Sequence, residues 1–430
     1  MLSAMPLRSL FLDLNAYFAS CEQQANPELR GKPVAVVPML TDSTCCIAAS
    51  YEAKKFGIKT GTRVGDAKLM CPKLILIAGH HERYIKVHHQ ILRAVDTVIP
   101  VHRVCSIDEM ECRLVRAEQP REAAMNVARR IKRAIRDQVG ECLTCSVGLA
   151  PNRVLAKIGT DMQKPDGLVC IEEHELPDRL LPLKLRDLPG VGARMERRLN
   201  IAGIGTMADL FARSEKELLK AFGSIHGAYW YRWLRGEEVV ETAIRTRTIG
   251  HQHVLPPVQR NLSDARAVLV RLLHKGAARL RKKGYMAGGL HVFVRCLNDG
   301  PGGRSGGSGG SGGWGGKAGW EKCMPLGVPT DDTLTLVRMF ASAWQEAERD
   351  LAASSLLMVG VTLVDLEPVY GTTLSLFAPP RPVHRLGEVM DRINTAFGKR
   401  AVYTASMHIA KESAPLRIAF SSIPDLDLPE

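Results

Sequence analysis

The sequence predicts a multidomain α+β protein, and three observations lead there. Its 430 residues exceed what one hydrophobic core ordinarily organises. The first part alternates short apolar strand-like runs with amphipathic helices. Near residues 185 and 241 the pattern changes, first to glycine-punctuated helices and then to the order strand, helix, strand, strand, helix, strand. For the first block taken alone, an α/β arrangement stays open.

In chain order, RSLFLDL (residues 8–14) reads as a short buried strand and NAYFASCEQQ as a helix. A second strand, PVAVVP, follows a turn at Gly31. CCIAASYEAKKFG starts strand-like and turns into a helix that ends at Gly57. Residues 81–98 and 120–138 read as helices, the second strongly basic, with CSIDEMECRL as a strand between them. LTCSVGLA and NRVLAKIGTDM follow as strand and helix. The block 185–210 has two helical stretches broken by glycine turns, and LPGVG there reads as a helix–hairpin–helix turn. Such a tight turn exposes backbone N–H groups that can meet a phosphate.

The last pattern comprises TAIRTRTIGHQHVL, SDARAVLVRLLHKGAARLRKKG, GGLHVFVRC, WEKCMPLG, a helix over 331–350 and LLMVGVTLVDL. This β-α-β-β-α-β order predicts a self-contained, ferredoxin-like split unit. Its middle strands are separated by a low-complexity segment from Asn298 to Gly319, predicted to be a flexible surface loop. The region after Phe377 opens Pro-rich, with one helix near 384–397, and ends acidic.

The formal charge of +13 and pI near 9.3 favour a polyanionic partner, nucleic acid or an acidic membrane surface. The opening MLSAMPLRSLFLDLNAYF has no long apolar segment leading to a small-residue cleavage site, and no run of eighteen apolar residues follows. The expectation is a cytoplasmic protein whose eleven cysteines are reduced. Cys142 and Cys145 have the spacing of a redox or zinc pair, but without a second such pair they read as ordinary core or surface thiols.

The chemistry is concentrated in carboxylates. Asp108 and Glu109 are adjacent in VCSIDEMEC, where strand alternation would send them to opposite faces. They can share a pocket only if the strand bends there. Asp13 ends a buried-looking strand, where a charge has to be paired or bind a metal. Three carboxylates without a His or Cys cluster suit Mg²⁺ better than zinc. Two such ions can activate a hydroxyl and clamp the leaving oxygens of a phosphoryl transfer.

LFLDLNAYFASCEQ, AASYEAKKFGIKTG, SIDE, CSVGLAPNRVLAKIGTDMQKPDG and LPGVG, in that order, resemble the Y-family translesion DNA polymerases, in the DinB and DNA polymerase IV subgroup. The resemblance is strong over residues 8–200 and continues in outline to about 365. It implies a right-hand polymerase with a palm (1–19 and 78–167), fingers (20–77), a helical thumb (168–240), a little finger (241–366) and a C-terminal tail (367–430). It also implies a DNA-directed DNA polymerase, monomeric and associated with the bacterial nucleoid, taking primer–template DNA and deoxynucleoside triphosphates.

Carried over residue by residue, the resemblance makes Asp13, Asp108 and Glu109 the catalytic acids, with the backbone of Leu14 also facing one of two Mg²⁺ ions. Phe18 becomes the steric gate against a ribose 2′-OH, with Tyr17 packed beside the nucleotide. Tyr51 and Lys164 would bond the triphosphate. Lys54 stands where the family usually has arginine, which keeps the charge but loses the rigid fork, and Lys55 points about 100° away on a helix. The primer 3′-hydroxyl would attack the α-phosphorus in line, with pyrophosphate leaving. Gly190 and Gly192 would meet the DNA from the thumb. From the little finger, Arg245 and Arg247 would do so on alternate positions of one strand face, with Arg279, Arg281 and Lys282. TLSLF resembles a sliding-clamp-binding peptide, through Thr373, Leu374, Leu376 and Phe377, with threonine where glutamine is usual. Two other readings are an inactive relative of the family and a non-catalytic nucleic-acid-binding module.

Overall fold

The computed structural model describes residues 5–240, 246–297, 319–370, 386–398, 401–413 and 423. It divides into two compact units that change over between residues 242 and 243.

The first unit runs β1 (Ser9–Leu14), α1 (Tyr17–Ala25), β2 (Val34–Val37), β3 (Ala48–Ala49), α2 (Tyr51–Lys54), α3 (Val64–Met70), β4 (Ile75–Ala78), α4 (His81–Asp96) and β5 (Val101–Val104). It continues with β6 (Glu109–Arg113), α5 (Arg121–Gln138), β7 (Cys145–Ala150), α6 (Arg153–Met162) and β8 (Leu168–Cys170). Four helices close it: α7 (Ala193–Ile201), α8 (Met207–Ala212), α9 (Glu215–Phe222) and α10 (His226–Trp233). Five strands form one sheet in the order β5-β6-β1-β7-β8, antiparallel except for β7 with β8. β1 and β7 are buried along their whole length, as central strands covered on both faces must be. A second sheet, β3-β2-β4, has its own small core around Ala35, Val37, Ile58 and Val64.

Helix α6 lies against β7 and β1. The close approach depends on Gly148 in β7, where a Cβ would stand 1.9 Å from the Ala156 carbonyl oxygen. Gly159 faces it from α6, its own added Cβ only 3.3 Å from the Gly148 Cα. Two glycines thus let a helix sit unusually low on the sheet, which decides where its other side chains reach.

LPGVG is entered differently from the sequence expectation. A single 3-10 turn, Leu185–Asp187, precedes it in place of a helix. Pro182 and Pro189 bracket that segment, and proline is not accommodated inside a helix. Leu188 and Val191 are buried in the surrounding core, Gly190 takes a φ of 82°, and Gly192 caps α7.

The second unit contains β9 (Ile249–Val254), α11 (Leu262–Lys283), β10 (Tyr285–Cys296), β11 (Gly319–Thr330), α12 (Thr333–Asp350), β12 (Leu356–Pro368) and α13 (Leu386–Phe397). The sheet order is β11-β10-β12-β9, all antiparallel. Each helix therefore joins two parallel strands with a third strand between them, the interleaved split units the element order predicts. The central pair is the second and fourth strands. The core lies between this sheet and the helices, around Leu269, Leu273, Val292, Phe340 and Trp344. Apart from Gly319, the segment Asn298 to Gly319 lies outside the described residues, as do Thr373, Leu374, Leu376 and Phe377.

All eleven cysteines are free thiols, Cys142 and Cys145 among them. Among the described residues no helix is long and apolar enough to cross a membrane.

Candidate active site

The acids come together because of what happens at two strand ends. Asp13, one residue from the end of β1, sits opposite Glu109 in the antiparallel ladder. Asp108 escapes strand alternation, because Ser106–Asp108 form a bend and β6 begins only at Glu109. The N–H groups of Cys105 and Ser106 both donate to the Glu109 carbonyl, at 2.9 and 3.1 Å. The Leu14 N–H donates to the Asp108 carbonyl at 2.8 Å, which ties the bend to the end of β1. The Ser106 hydroxyl donates to Asp108 Oδ1 at 2.5 Å. Burial pushes the Asp108 carboxyl up from its ordinary value; the Ser106 hydroxyl opposes that, and the charges of Asp13 and Glu109 add to it.

Two lysines occupy the middle of the acids. Lys157 Nζ, from α6, is hydrogen-bonded to Asp13 Oδ2 and lies 2.9 Å from Glu109 Oε1 and 3.3 Å from Asp161 Oδ2. Lys164 Nζ lies 2.8 Å from both Asp13 Oδ2 and Asp161 Oδ1. Burial works to lower the pKa of each ammonium, and the surrounding carboxylates, Asp13 first, overcome it, so both end raised. Among the described residues no three acidic, histidine or cysteine groups close into a ready cage for an ion. The donor chemistry nevertheless fits one: all-oxygen, anionic, and already drawn around a positive charge. Sequence reasoning missed Lys157 and Asp161. Their signal was there, since Lys157 and Asp161 are one helical turn apart and Lys164 follows three residues later.

The neighbouring pocket is built from α1 and α2. Ala16 adopts the left-handed region at φ 48°, turning the chain sharply from β1 into α1. Phe18, in the first turn, is half-buried two residues beyond that corner. Tyr17 is fully buried and its hydroxyl donates to the Tyr84 carbonyl at 2.6 Å, so it braces the corner and does not face the cleft. Tyr51 opens α2 behind the Ser50 cap. Its hydroxyl is pushed up by burial, with Lys164, Asp13 and the Asn15 side chain acting on it. Lys54 Nζ stands 4.1 Å from the centre of the Tyr51 ring. Its pKa is lowered by burial and by Lys164, against Asp13. Tyr51, Lys54 and Lys164 thus border the acids as one group.

The residues expected to meet DNA are more scattered. Gly190 and Gly192 are exposed, and a Cβ at either would meet nothing within 4 Å. Arg247 is exposed but precedes β9, whose pairing with β12 starts at Ile249, so it is not on a strand face. Arg245 lies outside the described residues. Lys282 is exposed at the end of α11, and Arg279 is partly buried one turn earlier. Arg281 is a correction. Its guanidinium is paired with both carboxylate oxygens of Asp391, at 2.7 and 3.1 Å, and donates to the Asp331 carbonyl at 2.7 Å and Thr333 Oγ1 at 3.0 Å. It fastens α13 and the start of α12 to α11 and is not presented to a phosphate.

The impB/mucB/samB family profile matches residues 12–161, its C-terminal domain profile 246–376, and a DNA polymerase-iota thumb-domain profile 186–238. A DNA polymerase IV of Moorella thermoacetica is 32% identical over 404 residues, 92% of this chain and 95% of that one. The chain belongs to the Y-family DNA polymerases, in the DinB-like branch. A DNA polymerase IV of Pelotomaculum thermopropionicum is 29% identical over 92% of this polymerase and 94% of its own length. Among solved structures, the Y-family chimera Dbh-Dpo4(243-245)-Dbh matches with a TM-score of 0.65 at 25% identity, over 83% of this chain and 98% of that one. The enzyme is a DNA-directed DNA polymerase of the translesion class.

Proposed function

We propose that this polymerase inserts deoxynucleotides opposite damaged or undamaged template bases by two-metal-ion phosphoryl transfer. The observation that carries the reading is the bend at Ser106–Asp108, which brings Asp108 near enough to Asp13 and Glu109 for their charges to raise its carboxyl, beside the Lys157 ammonium that Asp13 and Glu109 share. Asp13, Asp108 and Glu109, with the Leu14 backbone, would hold two Mg²⁺ ions. When bound, the ions supply activation of the primer 3′-hydroxyl and neutralisation of charge on the leaving pyrophosphate. Tyr51, Lys54 and Lys164 bind the triphosphate, and Phe18 lies under the sugar and excludes a 2′-hydroxyl. Lys157 is free to follow the acids or the phosphates once the ammonium is displaced from the carboxylates.

The five-stranded sheet is the palm, the β3-β2-β4 sheet the core of the fingers, α7–α10 the thumb and the second unit the little finger. Primer–template DNA is gripped by the thumb turn at Gly190 and Gly192 and by the exposed cations Arg247 and Lys282. The enzyme works as a cytoplasmic monomer, and Thr373–Phe377 docks a sliding clamp. Primer extension with Mg²⁺ on an undamaged template tests the reading. Wild-type protein extends, and Phe18→Ala raises ribonucleotide incorporation; a purified protein that extends no primer removes the proposal.

A further inference from the structure

Phe18 is in contact with a second aromatic ring. It lies nearly parallel to Tyr84, with centroids 4.5 Å apart and planes at 20°. A stacking partner places a ring only as firmly as it is itself placed. Tyr84, in the first turn of α4, is completely buried, and its hydroxyl donates to Glu22 Oε1 at 2.8 Å. Burial pushes that hydroxyl's pKa up, keeping it a donor.

Glu22 is the unusual member. It sits on the last turn of α1 with 3% of its surface exposed, where an ionised carboxylate is costly without partners. It has three. Besides the Tyr84 hydroxyl, Oε2 is paired with the Arg83 guanidinium, and Oε1 lies 3.0 Å from His80 Nδ1. All three come from His80 to Tyr84, the cap and first turn of α4. Tyr17 adds a fourth tie from α1 to the same turn through the Tyr84 carbonyl. One helical turn of α4 is therefore bound to α1 on both sides of Phe18, and Glu22 is the anchor.

We propose that Glu22 is a positioning residue for sugar selection. It fixes the Tyr84 ring, and through it the Phe18 ring, without touching the nucleotide. The inference rests on the gate reading of Phe18. A steric filter works by contact, so its selectivity needs the ring held to within about 0.5 Å. With glutamine in place of the carboxylate, one acceptor oxygen must serve the Tyr84 hydroxyl on one side and the Arg83 guanidinium on the other, so one of these ties is lost and the Tyr84 ring is held less firmly.

Single-nucleotide insertion of dCTP and CTP opposite template G, with kcat and KM measured separately, tests it. The proteins are wild type, Phe18→Ala, Glu22→Gln and Tyr84→Phe, each with its melting temperature. Glu22→Gln removes the charge at constant shape. Tyr84→Phe keeps the stacked ring and removes only the bond to Glu22, so it decides the matter if Glu22→Gln folds poorly. The expected result is a fall of about three- to tenfold in the dCTP-to-CTP ratio of kcat/KM for both variants, mostly through CTP. Phe18→Ala should lower the ratio further. A purely structural role would lower dCTP and CTP insertion in parallel and leave the ratio unchanged. That result, with Phe18→Ala still relaxing selection, overturns the role of Glu22 alone. An unchanged ratio in Phe18→Ala overturns the gate reading and this inference with it.

Discussion

Lys157 and Lys164 in the first unit and Arg271 and Arg281 in the second are basic side chains on or just after helices, all drawn out of solvent by oxygen atoms. The oxygens differ. Among the described residues the oxygens around the lysine ammoniums are carboxylates, those of Asp13, Glu109 and Asp161, which any other cation could satisfy. The arginines meet main-chain carbonyls: Arg271 that of Ala410 at 3.1 Å, and Arg281 that of Asp331 beside the Asp391 carboxylate. A cation shared among carboxylates is an exchangeable counter-ion. A guanidinium on backbone carbonyls is a fastening, because no ligand replaces the chain it holds. Basic residues in a DNA-binding protein therefore sort by their acceptors, and the count of charges says little.

The sharpest way to break this contrast is Asp108→Ala. Extension should fall about a thousandfold while DNA affinity, measured by fluorescence anisotropy, stays near wild type. Extension within tenfold of wild type would remove Asp108 from the acid site. Gly148→Ala comes next. The new Cβ would collide with the Ala156 carbonyl and lift α6, carrying Lys157 away from the acids. We expect a loss of about 1–3 kcal/mol in stability with a tenfold drop in kcat. Normal kcat in a folded variant means that the height of α6 on the sheet does not matter.

In the second unit, Arg281→Ala should cost about 2 kcal/mol of stability and leave the salt dependence of DNA binding unchanged. A smaller salt slope with unaltered stability would return Arg281 to the DNA contacts. The same packing has a pH signature. Burial, aided by nearby cations, depresses His251 and His274 to about 4, from an ordinary 6.5. The unfolded chain takes up these protons first, so stability is full above pH 6.5 and is lost as pH falls towards 4. His274 is bonded to Thr404 at 3.0 Å, so His274→Gln should flatten part of the melting-temperature profile. An unchanged slope would take that imidazole out of the acid lability. The smallest effect belongs to Arg247→Ala, which should lower the slope of log K against log salt by about one without moving the melting temperature.

The legible parts of the sequence share a cause. Asp13, Asp108 and Glu109 could be picked out because a carboxylate in an apolar strand has no cheap explanation, and the need for a bend followed from period-two alternation. The order of strands and helices in the second unit was readable for a similar reason, since buried periodic runs declare themselves locally, whereas in the first unit the short α3, β4, β5 and β8 and the closing α9 and α10 went unread. Lys157 and Glu22 were not singled out, because each looks like one more charge on an amphipathic helix.

What the sequence by itself determined was the family and the element order of the second unit, and it singled out three acids as candidates, all of which rest on residues near one another in the chain or on motifs in fixed succession. Only the tertiary structure decided that LPGVG follows a 3-10 turn, that Tyr17 faces inward, that Arg281 is a fastening and that Glu22 anchors Tyr84. Each depends on a partner distant in sequence or on the packing around it: Glu22 meets residues 80–84, and Arg281 meets residues 331, 333 and 391. A side chain's charge is written in the sequence, but the acceptor that gives the charge its role is supplied by folding.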